Sequence, residues 1–326
     1  MRILAVPDKF KGTASAKDVA DAISAGAVGH GHSVVGHPIA DGGEGTLEAL
    51  GGQNRVSLVS GPLGEPVEAG WRLVRGTAVI EMAQASGLSL VGGAIGNDPL
   101  TASTAGTGEL LTEAVAAGAK RIIVGVGGSA TTDGGLGAVR AMEPLVRFAG
   151  VQIQVACDVR LGFVEAAYQF GPQKGASAAQ VEFLGRRLNH LAEIYLEEFG
   201  VDIKELASAG AAGGLAGGLA AVGAELVEGF DLIAEETGLA EAMETADLVV
   251  TGEGLLDDQS FDGKVVGGVI ELAEEMGVPV LVIAGRAEHG VPDGVELVSL
   301  ADRFGVEAAM AEPGGCIRTV MADYLQ

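Results

Sequence analysis

The sequence predicts an α/β protein of two domains, in which a doubly wound parallel-sheet domain is interrupted by a large inserted α/β domain. Three observations lead there. Short apolar runs of strand length alternate with helical stretches along most of the chain, the pattern of parallel strands joined by crossover helices. At 326 residues the chain exceeds the size at which one hydrophobic core usually divides. Residues 55–90 instead alternate apolar and polar positions between turn signals, which predicts antiparallel hairpins.

In chain order, strands are expected at residues 3–6, 33–38, 121–126, 152–156, 248–251 and 280–284. The helix expected over 15–26 opens on Ser15, with Asp18 three residues on, and sets Val19, Ala22, Ile23 and Ala27 on one face. Residues 106–118, 180–199 and 264–276 read as helices whose C-terminal caps are Gly118, Gly200 and Gly277. Between 55 and 90, the pairs Val56 and Leu58, Trp71 and Leu73, and Val79 and Ile80 surround the turns Gly61-Pro62, Gly64-Glu65-Pro66 and Arg75-Gly76. The simplest organisation is a discontinuous Rossmann-like or flavodoxin-like domain, residues 1–46 and 240–326, with residues 47–239 as the inserted domain carrying a glycine-rich loop. No internal repeat is visible.

Composition narrows the function. Aromatic residues make up 4% and glycines number 53, so elements must pack closely on small side chains. A formal charge of −24, with no basic cluster, disfavours nucleic-acid binding. Residues 1–7 meet charge at Asp8 and lack the form of a signal peptide. No apolar stretch approaches the ~20 residues of a membrane span, so the expectation is a cytoplasmic protein without a membrane partner. Cys157 and Cys316 have no CxxC partner and read as reduced thiols. His30, His32 and His37 have no accompanying ligand set and read as surface histidines.

The chemistry sits where strands end, the usual ligand position of open α/β sheets. After residues 121–126 comes Gly127-Gly128-Ser129-Ala130-Thr131-Thr132-Asp133-Gly134-Gly135, whose glycines bring N–H groups close to an anion while the hydroxyls add donors. After the first strand come Asp8, Lys9 and Lys11, one carboxylate and two ammonium groups suited to clamping a small anion. The turn Ala40-Asp41-Gly42-Gly43-Glu44-Gly45-Thr46 and the stretch from Thr251 to Gln259, holding Glu253, Asp257 and Asp258, fit a hard cation or a polyol. Lys174 lies in a glycine-bracketed loop ahead of a helix. The P-loop pattern is absent. Gly125-Val-Gly-Gly-Ser-Ala130 satisfies the dinucleotide fingerprint, but no convincing acid follows to hold a ribose.

Taken together these loops resemble the type I bacterial glycerate kinases, the 2-phosphoglycerate-forming group. The resemblance rests on Pro7-Asp8-x-Phe10-Lys11-Gly12, Ala40-Asp-Gly-Gly-Glu-Gly-Thr46, Glu81-Met-Ala-x-Ala-Ser-Gly-Leu88, Gly127-Gly-Ser-Ala-Thr-x-Asp-Gly-Gly135, Cys157-Asp-Val159, Phe170-Gly-Pro-Gln-Lys-Gly-Ala176, Gly210-Ala-Ala-Gly-Gly-Leu215 and Thr251-Gly-Glu-Gly-x-x-Asp-x-Gln259 with Gly263-Lys264. These follow in the family's order over most of the chain. The chain departs from the pattern at Lys9, where a serine is usual, at Ala141-Met-Glu-Pro144, and at Arg160-Leu-Gly-Phe163, where an Asn-Pro-Leu turn is usual and the segment is about three residues shorter.

The resemblance implies ATP-dependent phosphorylation of D-glycerate, on the 2-hydroxyl, with Mg²⁺, in a cleft between two domains; a homodimer is left open. It assigns Gly127, Gly128, Ser129, Thr131 and Asp133 to binding substrate carboxylate or phosphate, with Lys9 beside them. Lys11 and Lys174 neutralise developing charge. Asp41, Glu44, Glu253 and Asp257 hold or orient the metal, and Asp8 or Asp158 takes the hydroxyl proton. Two alternatives stand beside this reading: an NAD(P)-dependent oxidoreductase of a small hydroxy acid, and a catalytically silent ligand-binding homologue.

Overall fold

The structure is a computed structural model and describes residues 1–28, 31–261 and 263–326; His30, expected at the surface, lies outside them. In chain order the strands are β1 (Arg2–Pro7), β2 (Ser33–Gly36), β3 (Arg55–Ser60), β4 (Pro66–Val74), β5 (Thr77–Glu81), β6 (Arg121–Gly125), β7 (Gln152–Cys157), β8 (Glu225–Glu228), β9 (Leu248–Gly252), β10 (Leu255–Leu256), β11 (Val280–Ala284), β12 (Arg286–Ala287) and β13 (Glu296–Ser299). They belong to two compact units, Met1–Asp41 with Phe230–Gln326, and Gly42–Gly229.

The first unit holds a five-stranded parallel sheet in the order β13-β11-β9-β1-β2. With its strands counted along the chain, that is the 2-1-3-4-5 order of flavodoxin-like sheets. Strands β9 and β11 are buried at every position, because helices cover both faces, and their sequences are correspondingly apolar throughout. One face packs Val19 and Ile23 of helix Ala16–Val28 with Ile317, Val320 and Met321 of helix Pro313–Tyr324 over Ile3, Val250 and Leu281. Gly26 makes that helix pair possible: a Cβ there would lie 2.7 Å from Arg318 O. Helix Val265–Met276 buries Val266, Val269, Ile270 and Ala273.

The second unit holds a six-stranded sheet in the order β3-β4-β5-β6-β7-β8. β3, β4 and β5 run antiparallel in succession, the hairpins expected from the alternation over 55–90, and β5 through β8 are parallel. The core is Trp71, Ile80, Leu110, Ile122, Val124, Val155 and Leu215. Behind it, helix Ala178–Phe199 opens on a capping box between Ser177 and Gln180.

The sequence reading misses β8 and β13. Each is a four-residue edge strand beginning with glutamate and holding only two large apolar residues, too short to show a period. The compact units divide after Asp41 and after Gly229. Gly42 O accepts from Val126 N at 2.9 Å, which ties the turn after Asp41 to β6. Phe230 packs against helix Val265–Met276, where a Cβ on Gly268 would lie 2.3 Å from its ring.

Candidate active site

In the first unit, β1 and β9 lie side by side with Pro7 opposite Gly252. This is the topological switch point, where connections leave the sheet in opposite directions and open a crevice at the carboxyl ends. Asp8 N donates to Gly252 O at 2.9 Å, so the two following loops start together. Asp8 Oδ1 accepts from Lys9 N at 2.7 Å, and Lys9 Nζ lies 3.8 Å from the same oxygen. Lys264, the residue capping helix Val265–Met276, donates to Asp41 Oδ2 at 3.1 Å. Asp41 is only 4% exposed.

Glu253 completes this cluster. Ser260 hydrogen-bonds its carboxylate, and the Ser260 hydroxyl also accepts from Asp257 N at 2.9 Å. Among the described residues, Oε1 of Glu253 is buried and has no hydrogen-bond partner. Burial pushes the Glu253 carboxyl up to about 7, with the Asp8 and Asp257 charges adding to the shift against Ser260 and Lys264. Burial likewise pushes Asp8 up to about 6, opposed by Lys9 and reinforced by Asp41. Neighbouring carboxylates whose ionised forms are both disfavoured attract a cation or hold a proton near neutrality.

In the second unit, Lys174 lies at the end of the short turn Pro172–Lys174 and is 3% exposed. Its Nζ donates to Ser129 Oγ and to Thr131 O, both at 2.7 Å. Burial pulls its pKa down to about 7, and the Asp133 charge opposes the shift. Asn97 Nδ2 donates to Ala130 O at 3.0 Å and Lys174 O at 2.9 Å, stitching the two loops together. Gly127 and Gly128 are left accessible while residues 129–133 are buried, so the crest of this loop is backbone.

Asp133 is 3% exposed and committed to its surroundings. Its Oδ2 accepts from Thr104 N and Oγ1, both at 2.9 Å, and from Gly137 N at 3.2 Å; Oδ1 accepts from Gly135 N at 3.1 Å. It therefore ties Thr104, the residue ahead of helix Ala105–Ala116, to the first turn of helix Leu136–Ala141. From the other side, residues 212–214 brace the loop in left-handed conformation, including Ala212 at φ 54°. A Cβ on Gly213 would lie 1.9 Å from Thr131 O, so the glycine run after Gly210 is required for close approach.

The turn after Asp41 packs on the same loop, since a Cβ on Gly127 would lie 2.5 Å from Gly43 Cα. Glu81, at the end of β5, holds that turn: its Oε1 accepts from Gly45 N at 2.9 Å and Leu47 N at 2.7 Å. Burial pushes its carboxyl up while these bonds oppose the shift. Glu81, Asn97, Thr104 and Lys264 were absent from the expected site residues. Glu81 and Lys264 carried a signal, as members of the motifs beginning Glu81-Met-Ala and ending Gly263-Lys264. Asn97 and Thr104 carried none, because only folding brings them to residues 130–133.

The remaining expected residues are dispersed between the units. Lys11 is exposed on the turn after Phe10, and Asp257 is half-buried ahead of the turn Asp258–Phe261. Glu44 is exposed in the second unit, and Asp158 is half-buried immediately after β7. Among the described residues, no three histidine, cysteine or acidic side chains could hold a metal ion. The orphaned Glu253 oxygen beside Asp8 nevertheless fits an ion that keeps most of its waters and takes one or two carboxylates, as Mg²⁺ does. The dinucleotide match at Gly125–Ala130 does not open a helix, which starts at Leu136; the fingerprint needs the pyrophosphate on a helix N-terminus.

Among known proteins, the profile of the glycerate kinase family matches residues 3–146 and 143–313. The chain is 41% identical over 331 residues to the glycerate 2-kinase of Escherichia coli K12, covering 89% of this chain and 87% of that protein. It is 40% identical to the glycerate kinase of Halalkalibacterium halodurans, covering 91% and 90%. A crystal structure of a candidate glycerate kinase 2 from Salmonella typhimurium LT2 superimposes with a TM-score of 0.83 at 34% identity, covering 100% of this chain and 97% of that one.

Proposed function

Since this chain belongs to the glycerate kinase family, and is an enzyme of ATP-dependent glycerate phosphorylation, we propose that it phosphorylates the 2-hydroxyl of D-glycerate. The hydroxyl oxygen attacks the γ-phosphorus, the bond from that phosphorus to the β-γ bridging oxygen breaks, and ADP leaves with the electron pair. Asp8 takes the hydroxyl proton. Its ordinary carboxylate pKa would make it a weak acceptor, and a value raised to about 6 suits proton transfer near neutrality.

Lys9, Lys11 and Lys264 supply positive charge to the nucleotide phosphates. Glu253 and Asp41, with Asp257 behind them, are the groups that would hold magnesium. Bound there, the ion would neutralise phosphate charge as the leaving oxygen develops it. In the second unit the Gly127–Gly128 backbone and the Ser129 hydroxyl receive the glycerate carboxylate, and Lys174 fixes that hydroxyl from beneath. Little covalent chemistry is asked of the protein, because phosphoryl transfer depends mainly on positioning and fixed charge.

The observation that carries this reading is the partnerless, buried Glu253 oxygen beside Asp8 at the switch point of the parallel sheet. It supports a cation-dependent anion chemistry and gives an oxidoreductase no obvious use for the acids. Incubation with ATP, Mg²⁺ and D-glycerate, followed by phosphorus NMR, tests it. Growth of the 2-phosphoglycerate resonance is expected; 3-phosphoglycerate would overturn the regiochemistry, and unconsumed ATP would overturn the activity. Asp8→Asn is expected to lower kcat far more than Asp158→Asn, and the reverse order would move the proton acceptor to Asp158.

A further inference from the structure

Within the unit formed by Met1–Asp41 and Phe230–Gln326, a cavity of about 860 Å³ runs along helix Val265–Met276. Its volume falls in the range of roughly 300–1,000 Å³ usual for small-molecule sites. One wall is the helix, from Gly267 through Ile270 to Glu274. The facing walls are Phe261 and the segment His289 to Pro292. The Phe261 and His289 rings lie 5.9 Å apart at 57°, and the His289 Nδ1 lies 2.5 Å from Asp258 Oδ1.

The lining has two chemical characters. Phe261, Ile270 and Val291 offer apolar surface and one aromatic face, whereas Glu271 and Glu274 offer hydrogen-bond acceptors; among the described residues, no lysine or arginine lines the cavity. Such a lining rejects an anionic group and suits a neutral, flat heterocycle with N–H or O–H donors. It also lies next to the acidic cluster. The turn Asp258–Phe261 separates them by a single residue, with Ser260 bonded to Glu253 on one side and Phe261 facing the cavity on the other. Gly267 lets this turn sit tight on the helix, since a Cβ there would lie 2.8 Å from Phe261 Cα.

We infer that this cavity receives the nucleoside end of the nucleotide, base and ribose, while the phosphates extend toward Asp8, Glu253 and Lys264. The helix from Gly267 to Glu274 spans about 10 Å at ~1.5 Å per residue, enough length for a purine and its ribose. The base stacks on Phe261, and its exocyclic amino group donates to Glu271 or Glu274. This rests on the ATP-dependent reading proposed above.

Calorimetric titration with ADP, without glycerate, separates the two. Phe261→Ala removes the stacking face. Gly290→Trp fills the cavity mouth from a position with nothing within 4 Å of an added Cβ, so it is expected to fold normally. Each variant is expected to weaken ADP binding at least fivefold and leave inorganic tripolyphosphate binding, which involves no base, unchanged. If wild-type protein binds ADP and both variants match it to within less than fivefold, the cavity assignment fails and the kinase reading survives. Equal losses of ADP and tripolyphosphate affinity would also overturn the assignment. A wild-type protein that binds no ADP would end both.

Discussion

The Nζ of Lys174 donates to the hydroxyl of Ser129 at 2.7 Å from a position only 3% exposed. The lysine expected to neutralise developing charge is also a buried strut beneath the glycine-rich loop. Lys174→Met keeps the aliphatic stem and removes the donors. We expect kcat to fall by on the order of a hundredfold, the scale of losing one fixed hydrogen-bond donor at an anion site. Since Lys174 titrates near 7, the wild-type kcat should decline on an alkaline limb that the Met variant lacks. The sign for stability follows from linkage. The charged form is penalised below about 7, and the penalty lifts as pH rises toward the unfolded value of 10.5, so wild type should gain on the variant between those limits.

Glu253 and Asp8 carry the opposite sign. Their folded pKa values of about 7 and about 6 exceed the unfolded 4.5 and 3.8, so the native state holds protons more tightly. Their stabilising contribution is complete below the unfolded values and is lost as pH rises through 6 and 7. Glu253→Gln should flatten that part of a melting-temperature profile. Mn²⁺, as a spectroscopic stand-in for magnesium, should bind the wild type more tightly at pH 8 than at pH 5.5 and the variant weakly at both. A pH-independent affinity measured by paramagnetic relaxation would remove these acids from the ion site.

Asp133→Ala removes the acceptor of the Thr104 and Gly135 N–H groups and of Gly137 N in the first turn of helix Leu136–Ala141. Losing the acceptor at one helix N-terminus costs about 0.5–2 kcal/mol, so a loss of roughly 2 kcal/mol is expected in urea unfolding. It also removes the charge that props up the Lys174 pKa. The alkaline limb of kcat should move further down in pH, a shift that a purely structural effect would not produce.

Glu81→Ala leaves the Gly45 and Leu47 N–H groups without their acceptor. The buried Leu47 group alone costs about 1–3 kcal/mol, and Glu81→Gln, which retains a carbonyl oxygen, should recover most of the loss. Hydrogen exchange at the Gly45 and Leu47 amides reads this directly: protection should drop in the Ala variant and return in Gln.

Gly127→Ala places a methyl 2.5 Å from Gly43 Cα, so the two loops must part. The KM for glycerate should rise several-fold with little change in the KM for ATP. An equal rise in both would show that the loop does not serve the acid substrate.

Much of this was legible in residue order. Val280–Ala284 and Leu248–Gly252 are apolar at nearly every position because both faces of their sheet are covered, and the hairpins of β3 to β5 show their two-residue period openly. The strand-end loops were visible as breaks from apolar runs into glycine and charge. Asn97 and Thr104 were not: each meets the loop at residues 130–133 across about thirty positions of sequence, through a contact only the fold creates.

Residue order by itself determined the α/β class, the crossover pattern, the hairpin insert and the loops that bear chemistry, since these follow from side-chain period and backbone freedom within short windows. Tertiary structure decided what each charged group does. Lys174 and Asp133 become internal supports, Glu81 becomes the anchor of a neighbouring turn, and Glu253 is left with an oxygen that has no partner among the described residues. The reason is physical: desolvation and hydrogen-bond partnership depend on every atom within a few ångströms, and those atoms come from segments far apart along the chain.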